Sequence, residues 1–179
     1  EWTLHRDEWL AEIFHHEGRC GYITEFCLRC HMNKADICCL NCDDLALYCE
    51  SCIVEAHCLS LFHCIKVWVK THFCYKMLRQ AGLCIQLSYP IGECCRRLQP
   101  TWDDDFTILD ISGIHSVVLN FCNCEQALSH DIQLLRAHLF PATSKNPKTV
   151  VTFRLLEHFH ALSTCYEVFC QNLPDHVPL

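Results

Sequence analysis

"CLRCHMNKADICCLNCDDLALYCESCIVEAHCLSLFH" runs from Cys27 to His63 and carries an ordered series of metal-ligand residues. Three C-x2-C pairs follow one another (Cys27 and Cys30, Cys39 and Cys42, Cys49 and Cys52), and His57 and His63 close the series. A C-x2-C pair can put two sulfurs on one ion from a tight knuckle, and Zn2+ prefers four N or S ligands in a tetrahedron. These eight ligands therefore imply two closed structural zinc sites in preference to disulfides. A closed site keeps no position for water, so the metal is expected to fold a polar segment and not to catalyse.

The series resembles a B-box, a small relative of the RING finger. That resemblance implies cross-bracing, with Cys27, Cys30, Cys49 and Cys52 on one ion and Cys39, Cys42, His57 and His63 on the other. Sequential pairing is the alternative, and spacing alone leaves both open.

Composition agrees with an intracellular metalloprotein. Eighteen cysteines among 179 residues suggest a disulfide scaffold at first sight, but 13 histidines accompany them. Secreted disulfide scaffolds also run to fewer than about 80 residues. The hydrophobic share of 51%, with only 5 Gly and 6 Pro, excludes a disordered chain. Glu1 comes first with no basic-then-apolar leader behind it, so the expectation is a piece of a longer chain from a reducing compartment. No apolar run approaches the roughly 20 residues of a membrane span. The net charge of −7 argues against a uniformly basic nucleic-acid surface but leaves room for local clusters: Arg96 with Arg97, Arg136, and Lys145 with Lys148.

Outside the ligand series the chain reads as mixed helix and strand. Trp2, Trp9, Ile13 and Phe14 recur at helical spacing until Gly18 stops the run. "IKVWVKTHFCYKMLRQAGL" is expected to form a short helix ending at Gly82, and "LCIQLSYP" a strand closed by Pro90. "FTILDISGIHSVVLNF" is a hairpin around a Ser-Gly turn. A helix is expected at Asp131–His138, stopped by Pro141, and an amphipathic helix at about Thr149–Phe169 with Val150, Phe153, Leu156 and Phe159 or His160 on its apolar face. The four tryptophans, Trp2, Trp9, Trp68 and Trp102, are expected in the core or at a module interface.

A third ligand group lies in this carboxyl half. Cys122 and Cys124 flank one residue at the end of the second hairpin strand, where alternate residues share a face. Cys95 is their expected partner and His130 lies within loop reach, giving a third candidate zinc site of Cys95, Cys122, Cys124 and His130. The bland reading is that these cysteines are small buried hydrophobes. His115 is expected to face away from them. No Cys–His pair stands out as a nucleophile, and Asp103, Asp104 and Asp105 read as a solvated loop.

Several stretches together resemble a known family. "FCNCEQALSHDIQLLRAHLFPATSKNPKTVVTFRLLEHFHALS", supported by "LDISGIHSVVLNF", "GLCIQLSYPIGECC" and "CIVEAH", is similar to the CxC cysteine-cluster domain associated with KDZ (Kyakuja–Dileera–Zisupton) transposases of fungi. The resemblance extends from about Trp9, and Cys122-x-Cys124 is the pair that names the family. It implies a zinc-chelating module amino-terminal to a catalytic domain that these residues do not contain. It also sorts the surplus in "HCLSLFHC" (57–64). Where the family reads H-R-x-x-P-x-H-R-I, this chain has Cys58, Leu61 and Cys64; Cys84 stands at another family Arg, and Tyr89 at a family His. Each departure is one C-to-T change, which points to His57 and His63 as ligands and to Cys58 and Cys64 as mutational surplus. Tyr89 removes a candidate ligand of the third site, a gap for Cys94 or His130 to fill.

The expected fold is α+β. An N-terminal helix and linker (1–26) precede a B-box/RING-like two-zinc cross-brace module (27–66), followed by a small, mainly antiparallel sheet with flanking helices (67–179). The expected function is that of a non-catalytic, nuclear, zinc-binding accessory domain of a transposase. It carries two zinc ions, with a third at the CxC group. Its partners are DNA at transposon ends, through Arg96, Arg97, Arg136, Lys145 and Lys148, or transposase subunits; no membrane and no small-molecule substrate are expected. The alternatives are a protein-interaction module of a ubiquitin-pathway protein and a secreted disulfide protein.

Overall fold

The computed structural model describes residues 2–19, 25–44, 46–90, 93, 95–101 and 106–171. Cys94, Trp102 and Asp103, Asp104 and Asp105 lie outside the described residues. The architecture is α+β, in two compact units, Glu1–Leu83 and Cys84–Leu179.

In the first unit, α1 (Trp2–Glu17) ends where the Gly18 N–H donates to the carbonyls of Phe14 and His15. Residues 3–17 are exposed throughout, and Trp9, 45% exposed, stacks on His5 instead of entering a core. A three-stranded antiparallel sheet follows, ordered β1 (Ile37–Cys39), β2 (Ile65–Val69) and β3 (His72–Lys76). Helix α2 (Glu50–Ala56) falls between β1 and β2 in sequence, and a 3-10 turn (Leu78–Ala81) stops at Gly82, whose φ of 97° suits glycine. Ile37, Ile53, Ile65, Leu78, Ala81 and Leu83 form the aliphatic core.

The helix expected over "IKVWVKTHFCYK" is a hairpin. Val69 pairs with His72 across a Lys70–Thr71 turn with Lys70 at φ 54°, and Trp68 meets Phe73 edge-on at 4.9 Å. Branched and aromatic residues on both sides of a tight turn favour strands, and the cross-strand ring pair rewards them. The boundary read at 66/67 thus falls inside β2.

The second unit is built on β7 (Gly113–Cys122), along which β4 (Cys84–Gln86), β5 (Leu98–Pro100) and β6 (Phe106–Asp110) all pair. Asn120 pairs with Gln86 on one edge and Pro100 on the other, so β5 continues the edge that β6 occupies. The hairpin read at 106–121 is present, with Asp110 opposite Gly113. Helix α3 (His130–Arg136) and β8 (Leu139–Pro141) come next. The helix expected from Thr149 begins four residues later. Thr149–Thr152 is β9, lying parallel to β6 with Val150 fully buried, and α4 spans Phe153–Gln171. Two valines between threonines suit a buried parallel strand, and Thr152 then caps the helix, its Oγ1 accepting from the Leu155 N–H at 3.2 Å. The sheet is mixed, with β4–β7 and β6–β9 parallel and the other ladders antiparallel.

Candidate metal centres

Three local backbone forms bring the first unit's ligands together. Cys27 and Cys30 bracket a turn closed by the His31 N–H on the Cys27 carbonyl (2.8 Å), with His31 at φ 56°. Cys39 and Cys42 bracket a second turn, in which the Asn41 N–H donates to Cys39 Sγ at 3.4 Å. Cys49 is the N-cap of α2, Cys52 sits in its first turn and His57 is its C-cap.

The ligand atoms of Cys27, Cys30, Cys49 and Cys52 lie within 4.8 Å of one another, as do those of Cys39, Cys42, His57 and His63. The groups interleave along the chain. Helix α2 joins them, contributing Cys52 to one and ending on His57 of the other.

The separations fit a tetrahedral N/S site. Zn–S bonds of about 2.3 Å and Zn–N bonds of about 2.0–2.1 Å give edges of roughly 3.8 Å between sulfurs and roughly 3.5 Å between sulfur and nitrogen. Cys30 and Cys49 Sγ are 3.8 Å apart. His63 Nδ1 lies 3.4 Å from both Cys39 and Cys42 Sγ, and His57 Nε2 lies 3.4 Å from Cys42 Sγ. All these thiols are free, and the sulfurs are too far apart for an S–S bond of about 2.05 Å.

The donor groups carry opposing shifts. Burial opposes ionisation of Cys49, but hydrogen bonds from Ser51 and Cys52 outweigh it and bring its pKa down to about 6. Its neighbour Cys52 is pushed up to about 12 by burial and by bonding to Cys49, Cys27 and Cys30. Cys42 rises to about 11 through burial and the adjacent Cys39, Asp44 and Asp43. Burial and the nearby His57 lower the pKa of His63, keeping it neutral and ligand-ready. Crowded thiols titrate apart because their thiolates repel; a bound cation removes that cost. The core around the first group is itself thin, comprising Cys27, Ala35, Leu47, Cys49 and Cys52.

The second unit holds a third group, Cys95, Cys122 and Cys124, at the end of β7. Cys95 Sγ lies 3.6 Å from Cys122 Sγ and 3.4 Å from Cys124 Sγ. Hydrogen bonds from the Arg97 backbone and Cys124 overcome burial and lower Cys95 to about 7. Cys124 moves up: the Tyr89 hydroxyl favours its thiolate, but Cys95, Cys122 and burial outweigh that bond. His130 is not in the group; its ring stacks on Phe121 with centroids 4.0 Å apart. His115 is engaged with Ser112 Oγ at 3.0 Å.

One positioning residue escapes the ligand count. Gln133, 1% exposed on α3, accepts from the Cys122 N–H (2.9 Å) and donates to the carbonyls of Cys122 (2.9 Å) and Leu128 (2.7 Å). It clamps the strand residue that carries a candidate ligand. A lone Gln between Ile132 and Leu134 was the available signal.

Cys58, Cys64 and Cys84 fall in none of the three groups, and Cys64 and Cys84 are exposed. The cations singled out from the sequence are all exposed, on the segment before β5 (Arg96, Arg97), at the end of α3 (Arg136) and in the 142–148 loop (Lys145, Lys148). Arg97 faces Glu125 at 3.8 Å. No helix of the described residues is long and apolar enough to cross a membrane.

Residues 78–173 match the family described as "CxC2 like cysteine cluster associated with KDZ transposases". The match starts well after Trp9, where the sequence resemblance begins, so the two interleaved groups lie before it and the third group lies inside it. Comparison with curated proteins and with solved structures returns no match. The match spans more than half of the chain and contains the clamped Cys122-x-Cys124 end of β7. The chain therefore belongs to the CxC2-like cysteine-cluster family associated with KDZ transposases.

Proposed function

We propose that this chain is a zinc-folded accessory module of a transposase, acting in the nucleus and doing no chemistry itself. Two zinc ions brace the first unit in a B-box-like cross-brace, Cys27, Cys30, Cys49 and Cys52 on one and Cys39, Cys42, His57 and His63 on the other. A third ion joins Cys95, Cys122 and Cys124. The observation that carries the reading is the convergence of three N/S donor groups at tetrahedral edge distances. Each ion supplies folding energy, because its ligands meet only in the folded chain.

The module's role is to position DNA for the catalytic domain. Arg96 and Arg97 follow Cys95 directly, so metal binding fixes the backbone that presents them. With a net charge of −7, only a few phosphates can be neutralised. Titration against transposon-end DNA across a salt series tests this. A shallow negative slope of log affinity against log salt is expected, and no binding at low salt removes the DNA role. Protein is the second reading, favoured by the exposed apolar side chains of α1 (Leu4, Ile13, Phe14) and α4 (Phe159, Leu162, Tyr166). Capture of a transposase fragment without DNA binding is its signature.

A further inference from the structure

Among the described residues, Cys95, Cys122 and Cys124 supply three donors, one short of a tetrahedral set. The histidine expected to complete them, His130, has no ring nitrogen in the group, and its ring lies stacked on Phe121. A different group stands at the gap. The Tyr89 hydroxyl lies 3.7 Å from Cys124 Sγ and 4.0 Å from Cys122 Sγ. Zn–O bonds of about 2.0–2.2 Å beside Zn–S bonds of about 2.3 Å give oxygen–sulfur edges of roughly 3.5–3.7 Å. The oxygen is therefore near the fourth-vertex distance from two sulfurs, while those sulfurs lie at edge distances from Cys95.

The backbone beneath Tyr89 is held for that placement. The Leu87 N–H donates to the Asn120 carbonyl on β7 at 3.0 Å, tying the segment to the strand that carries Cys122. Ser88 then turns the chain at φ 68°, an uncommon conformation for a residue with a side chain. Its Oγ donates to Gln133 Oε1 at 3.2 Å, the same amide that clamps Cys122. One buried side chain thus sets both Cys122 and the residue before Tyr89, fixing their separation without help from the ion.

We infer that the Tyr89 oxygen is the fourth ligand of this group, making it a three-sulfur, one-oxygen site. This deepens the reading of the three cysteines as a metal site and rests on it. A hard oxygen suits the ion less well than the sulfur or imidazole of the other groups, so this ion should be the first lost to a chelator.

The test uses the full chain, stripped of metal and reloaded stepwise with zinc or cobalt. Wild type should show phenolate absorption appearing with one ion, and Tyr89→Phe should lack it. Tyr89→Phe should also give up one ion at a chelator concentration about tenfold lower or more, while Tyr89→His restores retention. A wild type that gains no phenolate absorption on full loading overturns the inference, as does a Tyr89→Phe chain with unchanged retention. The cysteine reading is tested apart: Cys124→Ser must lower the ion count by one. If it does while Tyr89→Phe changes nothing, the metal site stands and the tyrosine ligand falls. If Cys124→Ser keeps every ion, both fall.

Discussion

The Nδ1 of His57 donates to the carbonyl oxygen of Ile53, one helical turn back, across 2.8 Å, and this leaves Nε2 turned toward Cys42. The bond fixes the ring's tautomer and rotation before any ion arrives, as outer partners of metal-bound histidines do. His57→Ala should release one ion and destabilise the first unit. Cys49→Ser should do the same through the other group, because α2 serves both. Metal content and circular dichroism of the purified variants check this; full metal content in either variant refutes the ligand assignment.

The cysteines outside the groups should behave differently. Cys58→Arg, Cys64→Arg and Cys84→Arg should each keep the wild-type ion count. Exposure decides it for Cys64 and Cys84, where a long cation can reach water. Loss of an ion from these variants, equal to that from His63→Ala, would show that the wrong ligands had been chosen.

Gln133→Leu should weaken metal retention at the third group without touching a ligand. It strips partners from the Cys122 N–H and carbonyl, at about 1–3 kcal/mol for each group left buried and unpaired, and from the exposed Leu128 carbonyl, which water can satisfy. Urea denaturation and chelator competition should both register the change, with affinity at that group down about 10–100-fold.

Asp110 ties the hairpin to the last helix. Its buried carboxylate accepts from Arg154 Nη2 (2.6 Å), Thr152 Oγ1 (2.8 Å) and Ser112 Oγ (2.6 Å). Burial alone would raise its pKa, but these partners hold it well below the usual carboxylate range. A carboxylate depressed in the folded state contributes stability above its unfolded value of about 3.9 and loses it as pH falls below that. Asp110→Ala should cost about 1–3 kcal/mol at pH 7, from the lost charge-assisted hydrogen bonds, since Arg154 is 58% exposed and stays solvated without its partner. The gap between variant and wild type should narrow from about pH 5 downward. A gap independent of pH would remove the ionised carboxylate from the account.

The C-x2-C pairs of the first unit were legible because their spacing is set by the backbone of a turn, whereas which pairs converge was not, since spacing suits cross-braced and sequential pairing alike; the hairpin at 106–121 was legible because its Ser-Gly signal and β-rich runs agree. Other features were hidden for identifiable reasons. "IKVWVKTHFCYK" lacks a Gly or Asn at its turn, and Lys70 takes the left-handed position in their place. Val150 fits a helical stripe as well as a strand; only pairing with β6 decides between them. Gln133 acts through an amide bonded to main chain, which no spacing rule detects.

The position of β9 has a consequence for fragments and for chains still being synthesised. Among the described residues it is the last strand in sequence, yet it lies inside the sheet, between β6 and β8, and β8 has no other strand neighbour there. A polypeptide ending in the 142–148 loop would therefore lose two strands at once, leaving the backbone of Thr107, Ile108 and Leu109 as a bare apolar edge. Such an edge is a template for pairing between copies. Aggregation of truncated chains, and a need for shelter until Thr152 has left the ribosome, follow from where that one strand sits.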